Sequence, residues 1–210
     1  TFVVTLGEID LSFPSIVGIT SLTFGMLLTS TDGNFFISFA LATALGMFAG
    51  LINGLLVTKI GIPSIVATIG TLFFWRGLVN VISQGSGIAI VDEADGTWHH
   101  MIFVDKLFNL IPAQFIWFVV LTGLMQWVYR YHKFGNHIHF VGDNKASAQM
   151  MGIDVDRVKI IAFVQLGFFS ALAGIFTMYE MLYFWPTQGS GLMLTTLAAV
   201  FVGGTSVFGG

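Results

Sequence analysis

The side chains that could do chemistry are few, and they sit beside or inside apolar runs. The segment GEIDLSFPS places Glu8, Asp10 and Ser12 directly ahead of an apolar run, with Pro14 where a helix would begin. Proline suits a first helical turn, and acids there complement the helix dipole. The segment therefore reads either as a capped helix start at a membrane surface or as a break in a helix where Asp10 and Ser12 line a solute path. Arg76 lies inside another apolar run, with Asn80 one turn later. Burying an ionisable group at membrane depth is costly, so it is a functional candidate by default. Its position near the outer end of the run also allows it to snorkel or to pair with a loop acid such as Asp92. Asn53 offers an amide for a helix-to-helix hydrogen bond. Thr195, a hydroxyl in the last apolar run, completes the candidates for a path.

Other chemistry finds little support. His99 and His100 are adjacent, which is not helical metal-ligand spacing, and no metal site is expected. GTSVFGG has the glycines of a phosphate loop without its lysine. There is no GxSxG, no HExxH, no paired catalytic carboxylates and no cysteine. The chain is expected to be neither an enzyme nor a cofactor carrier, and a net charge of −3 gives no reason to expect a nucleic-acid partner.

The elements that hold these residues are membrane helices. Charged residues make up 9% of the chain and hydrophobic ones 55%, with 22 Phe and 25 Gly; mean hydropathy is +0.87. Such a chain cannot cover a water-facing surface, so lipid must be its main solvent. Five runs are long enough to cross a bilayer, which takes about 20 residues. They are Phe13 to Thr29, Phe35 to Thr58, Ser64 to Ser83, Phe115 to Tyr131 and Val158 to Leu182. Leu192 to Val202 is a half-span. The expected fold is all-α, a polytopic helix bundle. Gly46, Gly50 and Gly54 recur on one face of the second span, and Gly167, Ala171 and Gly174 on the last, the spacing of close helix packing. Glu180, Tyr179, Tyr183 and Trp185 read as an interfacial aromatic belt. The start at Thr1 and the glycine-rich last residues read as the ends of a piece of something longer.

Between the fourth and fifth spans lies the most polar stretch, 132–157, far longer than a bare connection needs. It reads as a turn, a short extended piece and a short helix started by Asp143 or Asn144 and stopped by Gly152. Ala146, Ala148, Met150 and Met151 give that helix a partly apolar surface, for a soluble partner or for its own bundle. With this loop on the cytoplasmic side, six of the eight Lys and Arg residues face inward (Lys59, Arg130, Lys133, Lys145, Arg157, Lys159). Asp32, Asp92, Glu93, Asp95 and Asp105 then face outward.

GEIDLSFPSIVGIT resembles the GGIDLSVGS signature of permeases from the ribose, xylose and galactose class of bacterial ABC importers. GIPSIVATIGTLFFWRGLVNVISQG, FGNHIHFVGDNKASAQMMGIDVDRVK and PTQGSGLMLTTLAAVFVGGTSVFGG resemble that family's later motifs, in order. The departures are Glu8 in place of a second Gly, Phe13-Pro14 in place of a Val-Gly pair, and Met193 and Thr195 where an acidic pair is common. The resemblance implies an inner-membrane permease subunit that translocates a monosaccharide and has further spans at each end. It implies three partners: a separate ATP-binding subunit, a periplasmic sugar-binding protein and a second permease copy or paralogue. It makes residues Asn144, Ala146, Ala148, Met150, Met151 and Gly152 the contact to the ATPase. A branched-chain amino-acid permease, with charge complements along its path, is the alternative, and an ion-coupled carrier a more distant one.

Overall fold

The computed structural model describes residues 1–107 and 110–205. The last part of GTSVFGG, 206–210, lies outside the described residues.

A four-residue helix, α1 (Phe2–Thr5), stops at Gly7, whose φ of +72° reverses the chain. Residues 8–12 are non-helical, and α2 (Phe13–Ser30) begins with Pro14 in its first turn. Asn34 caps α3 (Phe35–Leu55) by accepting from the Ile37 N–H at 3.2 Å. One π-turn, Leu56–Ile60, extends α3 to Gly61 at φ +80°. Pro63 precedes α4 (Ser64–Ser83).

The described residues of the long segment that follows form short elements. It holds β1 (Ile88–Ala89), α5 (Val91–Ala94), α6 (Trp98–Val104), β2 (Lys106–Leu107) and β3 (Ile111–Pro112). β2 and β3 pair antiparallel, Lys106 opposite Pro112. Then come α7 (Ala113–Tyr131), α8 (Lys133–Asp143), α9 (Lys145–Met150), α10 (Val155–Met181), β4 (Tyr183–Phe184) and α11 (Leu192–Val202). β4 pairs antiparallel with β1, Ile88 opposite Phe184.

Among the described residues, four helices are long and apolar enough to cross a membrane: α2, α3 with its π-turn, α4 and α10. The expected fourth span forms as α7, 19 residues long, but Gln114, Gln126 and Arg130 dilute its apolar character and it is not among those four. The half-span appears as the 11-residue α11. α2 is the central helix, with Ile16, Leu22, Phe24 and Leu28 fully enclosed. Its buried threonine Thr20 donates to the carbonyl of Ile16 at 2.7 Å, which lets a hydroxyl sit in an apolar bundle. α4 leaves Val66, Phe73, Phe74 and Val81 exposed, as a lipid or protein contact requires.

α3 and α10 touch backbone to backbone. A Cβ at Gly46 would stand 2.6 Å from the Gly167 carbonyl oxygen, and one at Gly50 would overlap the Phe163 carbonyl. A Cβ at Gly54 would lie 3.0 Å from Ile160 Cα. The expected small-residue seam is thus real for Gly46, Gly50, Gly54 and Gly167. Gly174 packs elsewhere, against Thr20 and Val17 of α2.

Two readings from sequence need correction. Residues expected to be extended ahead of α9 are helical as α8. Gly135, Ile138 and Val141 recur every third residue and are buried, and Gly135 lets α8 pass against the Val128 and Tyr129 carbonyls. The aromatic belt is divided. Tyr183 is exposed, but Tyr179 is fully buried, edge-on to Phe24 at 5.1 Å between ring centroids. His99, on α6 rather than in a loop, joins that cluster. Its Nδ1 lies 2.9 Å from the Tyr179 hydroxyl and its ring stacks on Phe35 at 5.2 Å.

Burial, with the neighbouring His100, holds the His99 imidazole below its ordinary pKa of 6.5. Above that value the folded and unfolded chains are both neutral here. Below it the unfolded chain takes up the proton first, so stability is lost as pH falls from 6.5 toward the folded pKa. Detergent-solubilised protein should melt at a lower temperature at about pH 5.5 than at about pH 7.5. His99→Phe should shrink that difference; an undiminished difference would assign it to other groups.

Candidate functional site

The break between α1 and α2 is a hub. Non-helical backbone at membrane depth must be satisfied by protein, and α4 does this with side chains. Ser64 Oγ accepts from the Ile9 N–H at 3.2 Å, and Thr68 Oγ1 from the Leu11 N–H at 3.1 Å. The Asp10 carboxylate accepts from the Ser12 N–H at 2.6 Å and from its hydroxyl at 2.7 Å. The Asn53 amide of α3 donates to Asp10 at 3.1 Å and to Ser12 Oγ at 2.7 Å. Its carbonyl oxygen accepts from Thr71 Oγ1 at 2.7 Å. Asp10, Ser12, Asn53, Thr68 and Thr71 are all buried. Residues 8–12 are thus a non-helical stretch enclosed by the bundle, and Ser12, at the N-cap of α2, makes no side-chain capping bond.

Three of the six path candidates, Asp10, Ser12 and Asn53, are therefore brought together, and three are not. Arg76 is bonded to backbone carbonyls rather than to Asp92. Its Nη1 donates to the carbonyls of Pro186 and Gln188, each at 2.9 Å, tying α4 to the chain between β4 and α11. Gln188 in turn donates to Ser21 Oγ of α2 at 2.8 Å. Asn80 is exposed on α4. Thr195 is exposed on α11, its hydroxyl returned to its own helix at Leu192. Thr68 and Thr71 were missed in the sequence, although Ser64, Thr68 and Thr71 follow the i, i+4, i+7 spacing of one helix face.

The hub offers hydroxyls, one amide and one carboxylate, each engaged by its neighbours. Such a set exchanges hydrogen bonds with a neutral polar molecule, or with itself, more readily than it binds a free charge. Asn53→Leu would take one hydrogen-bond partner from each of Asp10, Ser12 and Thr71 and leave Asp10 Oδ2 buried without its donor. It should lower stability by about 2–3 kcal/mol, read as a depressed melting temperature in detergent. An unchanged melting temperature would mean that water replaces the amide.

At the end of the molecule that carries α8 and α9, charges of both signs gather. Lys59 pairs with Asp156 at 2.8 Å. Glu8 pairs with Lys159, and its carboxylate lies 3.6 Å from Lys145. Asn144 caps α9, accepting from the Ser147 N–H at 3.0 Å, and Gly152 ends it at φ +80°. One expected contact residue is misplaced. Ala148 is 1% exposed and packs with Leu6, Ile138, Val141 and Phe163, because Ile153 folds back to bond the Ala148 carbonyl at 3.0 Å. Ala148 is the one buried residue of α9; the apolar side chains that the helix leaves exposed are Ala146 and Met150, continued by Met151.

A family model described as "Branched-chain amino acid transport system / permease component" matches residues 1–210. The chain is 35% identical over 211 residues to the autoinducer 2 import system permease protein LsrC of Photorhabdus luminescens, covering all of this chain and 62% of the relative. Proteins of the same name from Yersinia pseudotuberculosis serotype O:3 (strain YPIII) and Yersinia pestis bv. Antiqua (strain Angola) are also 35% identical, with 58% of each covered. The chain thus spans less than two-thirds of the length of these relatives. No solved structure matches. Its four helices able to cross a membrane and the match along the whole of this chain agree: this membrane protein belongs to the branched-chain amino acid transport system permease component family.

Proposed function

We propose that the chain is the membrane-spanning part of an ATP-driven importer that moves a small neutral polyol, a monosaccharide or a close relative of one. The observation that carries this reading is the polar break at residues 8–12. It sits among three spans with neutral donors and acceptors from α3 and α4. A branched-chain amino acid would want complements for both its charges, whereas both carboxylates here are engaged, Asp10 by Ser12 and Asn53 and Glu8 by Lys159. The relatives are named for import of autoinducer 2, which makes that molecule the first to test beside ribose, xylose and galactose.

On this reading α9, within 132–157, faces the cytoplasm and meets a separate ATPase subunit through Ala146, Met150 and Met151. A periplasmic binding protein delivers solute to the opposite end, a second permease copy or paralogue completes the path, and the assembly sits in the inner membrane. ATP-driven closure of the ATPase pair alternates access. Met150 is 87% exposed, so Met150→Arg changes no internal packing. In the full-length permease it should leave membrane abundance normal, release the ATPase on purification and reduce solute uptake at least tenfold, a coupling loss of about 1.4 kcal/mol or more. Normal uptake with the ATPase bound would remove the docking role from α9. Competition by leucine but not by sugars would favour the amino-acid reading.

A further inference from the structure

Glu8 is a carboxylate with two partners on two different elements. It is 8% exposed, so water does little to screen it. It pairs with Lys159, equally buried on α10, and it lies 3.6 Å from Lys145, the first residue of α9. The Lys145 side chain is 55% exposed. The next residue, Ile9, is tied to α4 through Ser64, Leu11 is tied through Thr68, and Asp10 is tied to α3 through Asn53. One acid facing two lysines cannot neutralise both. Its charge is shared in the arrangement described, and withdrawal of α9 would leave it wholly to Lys159. The arrangement described and the one left by such a withdrawal would be two states of one ion cluster, and a cluster with two states can transmit a displacement.

We propose that Glu8 is the positioning residue that conveys movement of α9 to the polar break at residues 8–12, with Lys145 as the arm by which α9 reaches it. The inference rests on the reading of α9 as the ATPase contact and adds the link from that contact to the membrane interior. Lys159 is the fixed anchor of the cluster, held by α10. The residue that distinguishes GEIDLS from the signature it resembles is then the residue that connects the segment to the cytoplasmic helix.

The test uses the full-length permease with its ATPase and binding protein in proteoliposomes. It measures solute imported per ATP hydrolysed. Lys145→Met removes the arm while leaving the buried pair intact. Glu8→Gln with Lys159→Met removes the buried pair without stranding a charge. Both should keep the ATPase bound and hydrolysing, and both should lower the ratio about tenfold, within the range of ordinary couplings between sites. A role confined to folding would lower abundance and melting temperature and leave the ratio of the assembled protein untouched. A normal ratio in Lys145→Met overturns the proposal, whether or not the double variant accumulates. Met150→Arg, run in parallel, separates the two levels. If it still binds the ATPase, the assignment of α9 falls and this inference with it. If it releases the ATPase while Lys145→Met transports normally, only the role of Glu8 falls.

Discussion

Gly50→Leu should leave almost no folded protein in the membrane. The glycine lies where α3 meets the backbone of α10, and even a methyl group there would overlap the Phe163 carbonyl and stand 3.0 Å from Val164 Cα. Backbone cannot rotate aside as a side chain can, so the helices would have to part. Parting them also pulls on Asn53, three residues along on α3, and hence on the hydrogen bonds to Asp10, Ser12 and Thr71. Overpacking one well-filled site costs about 1–3 kcal/mol; here the loss of the polar hub adds to it. The measurement is membrane abundance and melting temperature beside Gly77→Leu on α4, where an added Cβ meets nothing within 4 Å. Gly77→Leu should accumulate normally. Equal abundance of the two variants would show that α3 and α10 do not depend on close approach.

Ala148→Arg should behave in the same way, and for a reason that the sequence of α9 conceals. The residue lies between two exposed stretches, so it reads as surface. It is instead 1% exposed, part of the buried cluster that includes Leu6, Ile138, Val141 and Phe163. An arginine there buries a long chain and a charge beside Lys145 and Lys159, which are already two cations to one acid. Burial of a charge without a partner costs several kcal/mol, so the variant should be lost from the membrane. Met150→Arg, two residues on, should accumulate and fail only at docking. Normal abundance of Ala148→Arg would mean that α9 lifts off the bundle at little cost.

The contrast between those two residues shows what could be read in the sequence. Four of the five expected spans follow from hydropathy, because lipid demands long apolar runs, and their observed limits lie within a few residues of those expected; α7 forms where the fourth was expected but is not among the helices apolar enough to cross. The glycine seam follows from spacing, since residues four apart share a helix face. Asn144 and Gly152 act as the cap and stop that their chemistry demands. What failed was the facing of short polar helices. A six-residue helix completes fewer than two turns, too few to reveal a face. α8 was hidden because Gly135 and Gly142 suggest turns, while its buried stripe becomes visible only once α7 lies against it. Arg76 was legible as an anomaly but not as a clamp. Its partners are backbone carbonyls 110 and 112 residues away, which carry no side-chain signal.

The enclosure of α2 has a consequence for biosynthesis. One wall of its surroundings is α10, which begins about 125 residues after α2 ends. At chain growth of roughly 5–20 residues per second, α2 waits on the order of ten seconds before that wall exists. During this interval Val17, Thr20, Ser21 and Gly25, which meet Gly174 and Met178 in the folded chain, face either lipid or the insertion machinery. A helix with mean hydropathy 1.4, the lowest of the four crossing helices, is poorly suited to lipid alone. Retention beside the translocon until α10 emerges would protect it. A ribosome stalled before α10 should therefore hold α2 in a protease-sensitive, crosslinkable state that is lost once α10 has been made.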